Sequence, residues 1–351
     1  MRLKVAVVTQ VKSACGQLSL AMAEAVIGAL HNSKYDAVVA DLDNYGVVRQ
    51  GHMDQGNDTS VTGLISGYPS TSLWSYMSGG DRPDVGIVTS RGRPGLEGSV
   101  QGLLDLLNIP YLGSGVLSTA LVCDRLIARK ILDHERIAVP NGIAVLRAAE
   151  TGDVCSRLER ELRFPVIVKP RRGHFDLGAT VAGSLSELAT AIESTIGYED
   201  LLVEEFIDGT ELICCVVGNE MPEALPVVAI LADDDFRKGR AMYTANAVTE
   251  VVPAPVPPEQ YTLAKEIAVK CHRAFGCRDM SSTRMISRGG ALCVLGVETH
   301  PIILPRSSFV HAAQAARISL PELMDRLIGY AMSGGSWQRS LSHVLHRRDH
   351  T

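Results

Sequence analysis

Only a few side chains in this sequence combine reactivity with a position that a fold could use. His300 stands before Pro301 at the end of an apolar run, with Glu298 just upstream, so one strand end offers a base and a carboxylate. His174 and Asp176 lie in a polar loop between Gly173 and Gly178, and Arg172 heads that loop. Cys15 follows a βα turn, where a thiol is either a nucleophile or a packed side chain. Arg91, Arg284 and Arg306 are permanent cations suited to a carboxylate or a phosphate. His134, His272, His311 and the histidines of the tail read as surface residues. The 8 cysteines form no CxxC pair and no Cys/His cluster of zinc spacing, so no metal ligand is assigned.

Elements must hold those side chains. The chain has 351 residues, 46% of them hydrophobic and 21% charged, which suits two or three globular domains. A net charge of −5 without a basic tract argues against nucleic acid or anionic lipid as partner. No apolar run reaches the ~18 residues of a membrane span, and no signal peptide precedes Leu3. Scattered apolar cysteines fit a reducing cytoplasm. LKVAVVT (3–9), YDAVVAD (35–41) and DVGIVT (84–89) alternate with the amphipathic stretch 18–30, a βαβ rhythm that predicts a parallel sheet. The Gly/Ser/Asn-rich stretch 46–80 reads as a surface loop insertion. One helix is expected over 118–132. Strands are expected at 165–170, 201–204, 211–217, 227–231, 250–252 and 292–297, with 201–204 pairing antiparallel to 211–217. Further helices are expected at 186–196, 261–274 and 321–332.

Several segments then fall in a familiar order. IPYLGSGVLSTALVCD (109–124), FPVIVKP (164–170), LLVEEFIDGTEL (201–212), VVPAPVP (251–257), GCRDMSSTRM (276–285) and VETHP (297–301) together resemble the D-alanine–D-alanine ligases of the ATP-grasp superfamily. The resemblance runs from residue 1 to about 330 and implies an α/β ATP-grasp fold. It would comprise an N-terminal parallel-sheet (pre-ATP-grasp) domain over 1–112, a small central α/β subdomain over 113–198, and a C-terminal antiparallel-sheet subdomain over 199–332. A mobile tail at 333–351 would follow. Family chemistry is ATP-driven amide formation through an acyl phosphate, and family members commonly pair as homodimers through the N-terminal unit. The resemblance places Lys169 on the α/β-phosphates, Glu204, Glu205 and Ile207 at the adenine hinge, and Glu211 on the ribose. It gathers Cys15, Arg91, Arg172, His174, Asp176, Arg284, Glu298, His300 and Arg306 around one cleft.

Other positions depart from the family pattern. Arg284, Gly296 and Glu298 fall on its three metal-ligand positions, and Ser282 falls on the oxyanion arginine. Met242 falls on the γ-phosphate lysine, with Lys238 nearby, and Cys15 falls on the glutamate that holds the first amine. Phe175 and Asp176 fall on the glycine-loop serines, Arg91–Gly92 on a His–Gly pair, and Arg129 on the helix lysine near adenine. The sequence reading expected from this is a repurposed enzyme acting on a small amino-acid-like or carboxylate substrate, without Mg-ATP. Isomerisation, cyclisation, elimination and hydrolysis all stay open, with secondary metabolism as the expected setting. Arg284, Glu298, His300, His174, Asp176 and Cys15 would be its catalytic residues, and Arg91, Arg172, Ser282, Arg306 and Ser307 its substrate contacts. A residual adenine-nucleotide pocket would persist at Lys169, Glu204, Glu205, Ile207 and Glu211. The alternatives are an atypical ATP-dependent ligase forming an amide or ester bond, and a non-catalytic partner protein.

Overall fold

The computed structural model describes residues 2–10, 12–13, 15–30, 33–42, 47–49, 71–72, 77, 79, 82–92, 95–147, 151–173, 178–196, 199–232 and 248–333. Strand β1 (Leu3–Thr9) lies between β2 (Tyr35–Asp41) and β5 (Val85–Val88), parallel to both, with α1 (Gly16–Ala29) as the crossover after β1. Val5–Val8 are fully buried, as a parallel strand covered on both faces requires. Strands β3 (Val47–Arg49) and β4 (Thr71–Ser72) add two short antiparallel pairings to the sheet edge. The expected 46–80 loop thus contributes sheet structure, and its Met77 is buried in the core. The strands are too short to show an alternating pattern in sequence. Helix α2 (Ser99–Leu106) and strand β6 (Tyr111–Leu112) complete a sheet of order β4-β3-β2-β1-β5-β6.

The single helix expected over 118–132 is two helices, α3 (Val116–Cys123) and α4 (Arg125–His134). Asp124 separates them with extended backbone, and its carboxylate accepts the amides of Leu126 (3.1 Å) and Ile127 (3.2 Å) as the cap of α4. Next come β7 (Gly142–Val145), α5 (Thr151–Glu161), β8 (Val166–Pro170), β9 (Thr180–Ala182), α6 (Leu185–Ile196) and β10 (Leu201–Glu205). Their strands form a central sheet of order β7-β10-β8-β9. The expected pairing of 201–204 with 211–217 is wrong. β10 pairs with β7 and β8, because Leu201 and Val203 bury against Ile143, Val145 and Val168.

The third sheet is built from β11 (Thr210–Val217), the short β12 (Glu223–Ala224), β13 (Val228–Ala232), β14 (Val248–Val251), β15 (Met280–Arg288) and β16 (Ala291–Glu298). Helix α7 (Pro258–Ala274) precedes β15, while α8 (Ser308–Ala315) and α9 (Leu320–Ser333) follow β16. The main order is β14-β13-β11-β15-β16, all antiparallel, with β12 paired to β11. Leu212, Cys214, Val216 and Met285 pack toward Ala264, Ala268 and Cys271 of α7. Cys215, Val228 and Ile230 pack in the core that α8 and α9 share with β1, β2 and β5. Between Arg284 and Met285 the ladder to β16 passes over Leu295, a β-bulge. Because of it, Val297, Val294 and Leu292 all join the α7 core, while Glu298 and Gly296 stay opposite Ser282 and Arg284. The tail beyond Ser333, the segment 233–247 with Lys238 and Met242, and the loop 174–177 lie outside the described residues. Among the described residues, no helix is long and apolar enough to cross a membrane.

Candidate active site

The central and third sheets face each other across a cleft whose charged walls are Arg125, Arg129, Lys169 and Arg284 against Glu204 and Glu298. Lys169 sits beside Leu202 in the central ladder, so it shares a face with Glu204. Glu204 is 5% exposed and bridges two cations, Arg129 Nη1 at 2.9 Å and Lys169 Nζ at 3.1 Å. A buried carboxylate survives only with such partners, and this one leaves the wall one positive charge in excess. Gly142 makes room for it: a Cβ there would come within 2.8 Å of Glu204 Cγ.

On the third sheet, Cys215, Ser282 and Glu298 stand in one cross-strand row, and Ile213, Arg284 and Gly296 in the next. Arg284, 9% exposed, donates from Nε to Glu211 Oε1 at 2.8 Å. Ser282 Oγ donates to Glu298 Oε2 at 3.4 Å, a long bond. Four cations against two carboxylates in the lining favour a polyanionic occupant.

The other expected residues divide sharply. His300 is 3% exposed and far from open to the cleft. Its ring lies between Thr299 Oγ1 (3.0 Å) and Gln101 Nε2 (3.3 Å), and a Cβ on Gly113 (φ +104°) would meet it at 2.8 Å. Burial, and then the Arg91 guanidinium, push its pKa down to about 3, so it stays neutral and is corrected from proton carrier to packing group. Arg91 is buried too, donating to the His300 carbonyl, so it serves the interior rather than a substrate. Ser307 is spent as the cap of α8, accepting from Val310 N and donating to Ile302 O at 2.7 Å. Arg306 is exposed in the turn before it. Arg172 is half exposed and points to Asp124, at 3.9 Å. Glu205 turns outward, accepting from Asn141 Nδ2 and Arg163 N, both at 3.1 Å. Ile207 is half-buried in the loop after β10, and Cys15 is half-buried before α1 with no capping bond from its side chain. His174 and Asp176 lie outside the described residues.

Two clusters escaped sequence reasoning. Arg171 bonds Asp124 at 2.9 Å and Asp200 at 3.0 Å, tying α4, with its Arg125 and Arg129, to the end of β8. Burial alone would raise the Asp124 carboxyl, but Arg171 and the helix amides hold it below its ordinary value. In the second cluster, His311 Nδ1 meets Glu250 Oε2 at 2.6 Å while Ser308 Oγ donates to Glu250 Oε1 at 2.6 Å. His272, expected at the surface, is instead 1% exposed with Nδ1 at 2.8 Å from Ser281 Oγ. No short-range sequence signal marks either cluster.

Among the described residues no three His, Cys, Asp or Glu side chains group to hold a metal. A nucleotide-bound Mg²⁺ needs no such cage, since it takes one or two carboxylates and completes its shell with phosphate oxygens and water. Glu298, buried on the cleft wall with its hard oxygens, fits that requirement.

A family model described as the D-ala D-ala ligase C-terminus matches residues 131–329. A D-alanine–D-alanine ligase of Desulforamulus reducens is 32% identical over 338 residues, 95% of this chain and 99% of the relative. Among solved structures, the VanG D-Ala:D-Ser ligase of Enterococcus faecalis superposes with a TM-score of 0.80 at 23% identity, over 94% of this chain and 100% of that one. The D-alanine–D-alanine ligase of Bacillus anthracis complexed with ATP does so with a TM-score of 0.71, also at 23% identity, over 94% and 98%. These likenesses establish the ATP-grasp arrangement of one parallel-sheet unit and two facing sheets. They also overturn the expectation of a repurposed, ATP-independent enzyme with a degenerate metal site and no use for Mg²⁺. A chain that aligns along 95% of its length with a D-alanine–D-alanine ligase carries that scaffold, and three altered metal-ligand positions do not by themselves rule out a nucleotide-borne Mg²⁺, whose shell phosphate and water complete. The chain belongs to the D-alanine–D-alanine ligase family.

Proposed function

We propose that this protein is an ATP-dependent ligase that joins two small amino-acid-like molecules through an amide bond. The observation that carries this reading is the 32% identity to a D-alanine–D-alanine ligase along 95% of the chain. The cation-rich cleft supports it. Lys169 and Arg129 face the nucleotide phosphates, and their shared partner Glu204 fixes both before the nucleotide arrives. Arg284, tethered by Glu211, presents a permanent charge to the phosphoryl group in transfer. Glu298, with the phosphates, would hold Mg²⁺, which when bound neutralises charge on the triphosphate. Ser282 orients the Glu298 carboxylate.

The test is a coupled assay of ADP and phosphate release with ATP, Mg²⁺ and D-alanine, followed by mass spectrometry of the product, then the same assay across D- and L-amino acids. ADP release that depends on an amino acid and matches dipeptide formation is expected. ATP that is neither bound in calorimetry nor consumed with any of these amino acids overturns the reading.

A further inference from the structure

The ligase reading leaves one chemical demand unassigned. The attacking amine arrives as an ammonium and must lose a proton before its nitrogen can bond to carbon. Among the described residues, the third sheet carries a group built for that. In the ladder, Glu211 pairs with Ile230, and Ile230 pairs with Glu250, so the three side chains share one face. That face also carries Arg284, beside Glu211, and the row of Cys215, Ser282 and Glu298. Cys215, fully buried, lies close enough to feel the charge of both Glu298 and Glu250. Glu250 therefore stands two strands from Glu211, about 10 Å at the usual strand spacing.

The local geometry is that of an oriented base. A carboxylate can only accept, so His311 donates from Nδ1 to Glu250 Oε2 at 2.6 Å. Ser308 occupies the other carboxylate oxygen at 2.6 Å, so Glu250 is fixed from both sides. This tautomer leaves His311 Nε2 as the acceptor, and the His311 side chain is 32% exposed. His300, only 3% exposed, lacks that access.

We propose that His311 is the general base for the attacking amine, with Glu250 and Ser308 as its positioning residues; this rests on the ligase reading. His311 Nε2 takes one proton from the ammonium. The freed nitrogen lone pair forms the C–N bond at the acyl-phosphate carbonyl carbon. The carbon–oxygen bond to phosphate breaks, and phosphate leaves with that electron pair. The second nitrogen proton departs on the phosphate, giving the amide and hydrogen phosphate. A packing role, in which the pair merely pins α8 to β14, would affect every nucleophile alike.

Hydroxylamine separates these readings, because it is largely unprotonated at neutral pH and traps an acyl phosphate without a base. The full-length protein and its His311→Gln and Glu250→Gln variants are assayed with ATP, Mg²⁺ and the amino acid found active above. Hydroxamate and dipeptide formation are measured side by side. The expected result is hydroxamate formation within twofold of the parent, with dipeptide formation down about 100-fold in His311→Gln and less in Glu250→Gln. Equal rates of dipeptide formation in parent and variant overturn the proposal, and so does an equal loss of both products. Absence of hydroxamate in the parent protein instead sinks the ligase reading beneath it.

Discussion

Two histidines of the same C-terminal stretch sit in regions of opposite character. His300 lies in the seam where the parallel-sheet unit meets the third sheet, pressed under Gly113 and beside the buried Arg91. His311 lies in α8, held by Glu250, a carboxylate that a serine also holds and that shares a sheet face with Glu211. The first is closed to water and kept neutral by its surroundings. The second keeps a side chain that is 32% exposed. Adjacency to a recognisable motif favoured His300, yet what counts for proton transfer is access together with an orienting partner, and only His311 has both.

The sharpest way to break this contrast is at the cleft itself. Arg284→Ala should lower kcat by 10²–10³, about 3–4 kcal/mol of transition-state stabilisation, while the folded protein persists. A variant with unchanged kcat would remove Arg284 from the chemistry. In the seam the cost should fall on stability instead. His300→Ala leaves a cavity under Gly113 and takes one partner each from Gln101 and Thr299, so urea unfolding should show a loss of about 2–4 kcal/mol with kcat little changed at low temperature. A stable His300→Ala protein with a collapsed kcat would put His300 back in the chemistry. The interior predicts a pH signature as well. Burial lowers the His272 pKa to about 4, while the unfolded chain titrates near 6.5. As pH falls from about 6.5 to 4, only the unfolded state gains that proton, so the native state loses stability, on the order of 3 kcal/mol at the lower end. His272→Gln should flatten that part of the stability-pH curve. The smallest effect belongs to the break between α3 and α4. Asp124→Ala removes the cap and the Arg171 bonds, at a cost of about 1–2 kcal/mol, and that contribution in the parent should fade in acid as the depressed carboxyl protonates.

The fold was legible because its evidence is distributed. Apolar strands such as PVIVKP, and the order of six segments, survive many substitutions. The site was less legible because its geometry is made by residues distant in sequence. Gln101 and His300 meet across 199 positions, and Glu250 and His311 across 61. Reading the metal positions one by one suggested that ligation had been lost. A nucleotide-bound Mg²⁺ takes much of its shell from phosphate and water, and those ligands leave no mark in a protein sequence. The misplaced pairing of 201–204 with 211–217 had a similar origin, since proximity in the chain stood in for the burial that draws β10 into the central sheet.

The bulge at Leu295 carries a consequence for how this cleft tolerates change. It acts as a phase shifter: upstream of it one parity of β16 feeds the α7 core, and downstream the opposite parity does. Point substitutions on the cleft side can therefore rewrite the chemistry without disturbing the core. Pairing Leu295 with Arg284, with no residue skipped, would do the reverse, turning Glu298 toward the apolar interior and Val297 toward the cleft, whereas deleting Leu295 would leave both facings as they are. Register, more than identity, is the property of this strand that must be kept.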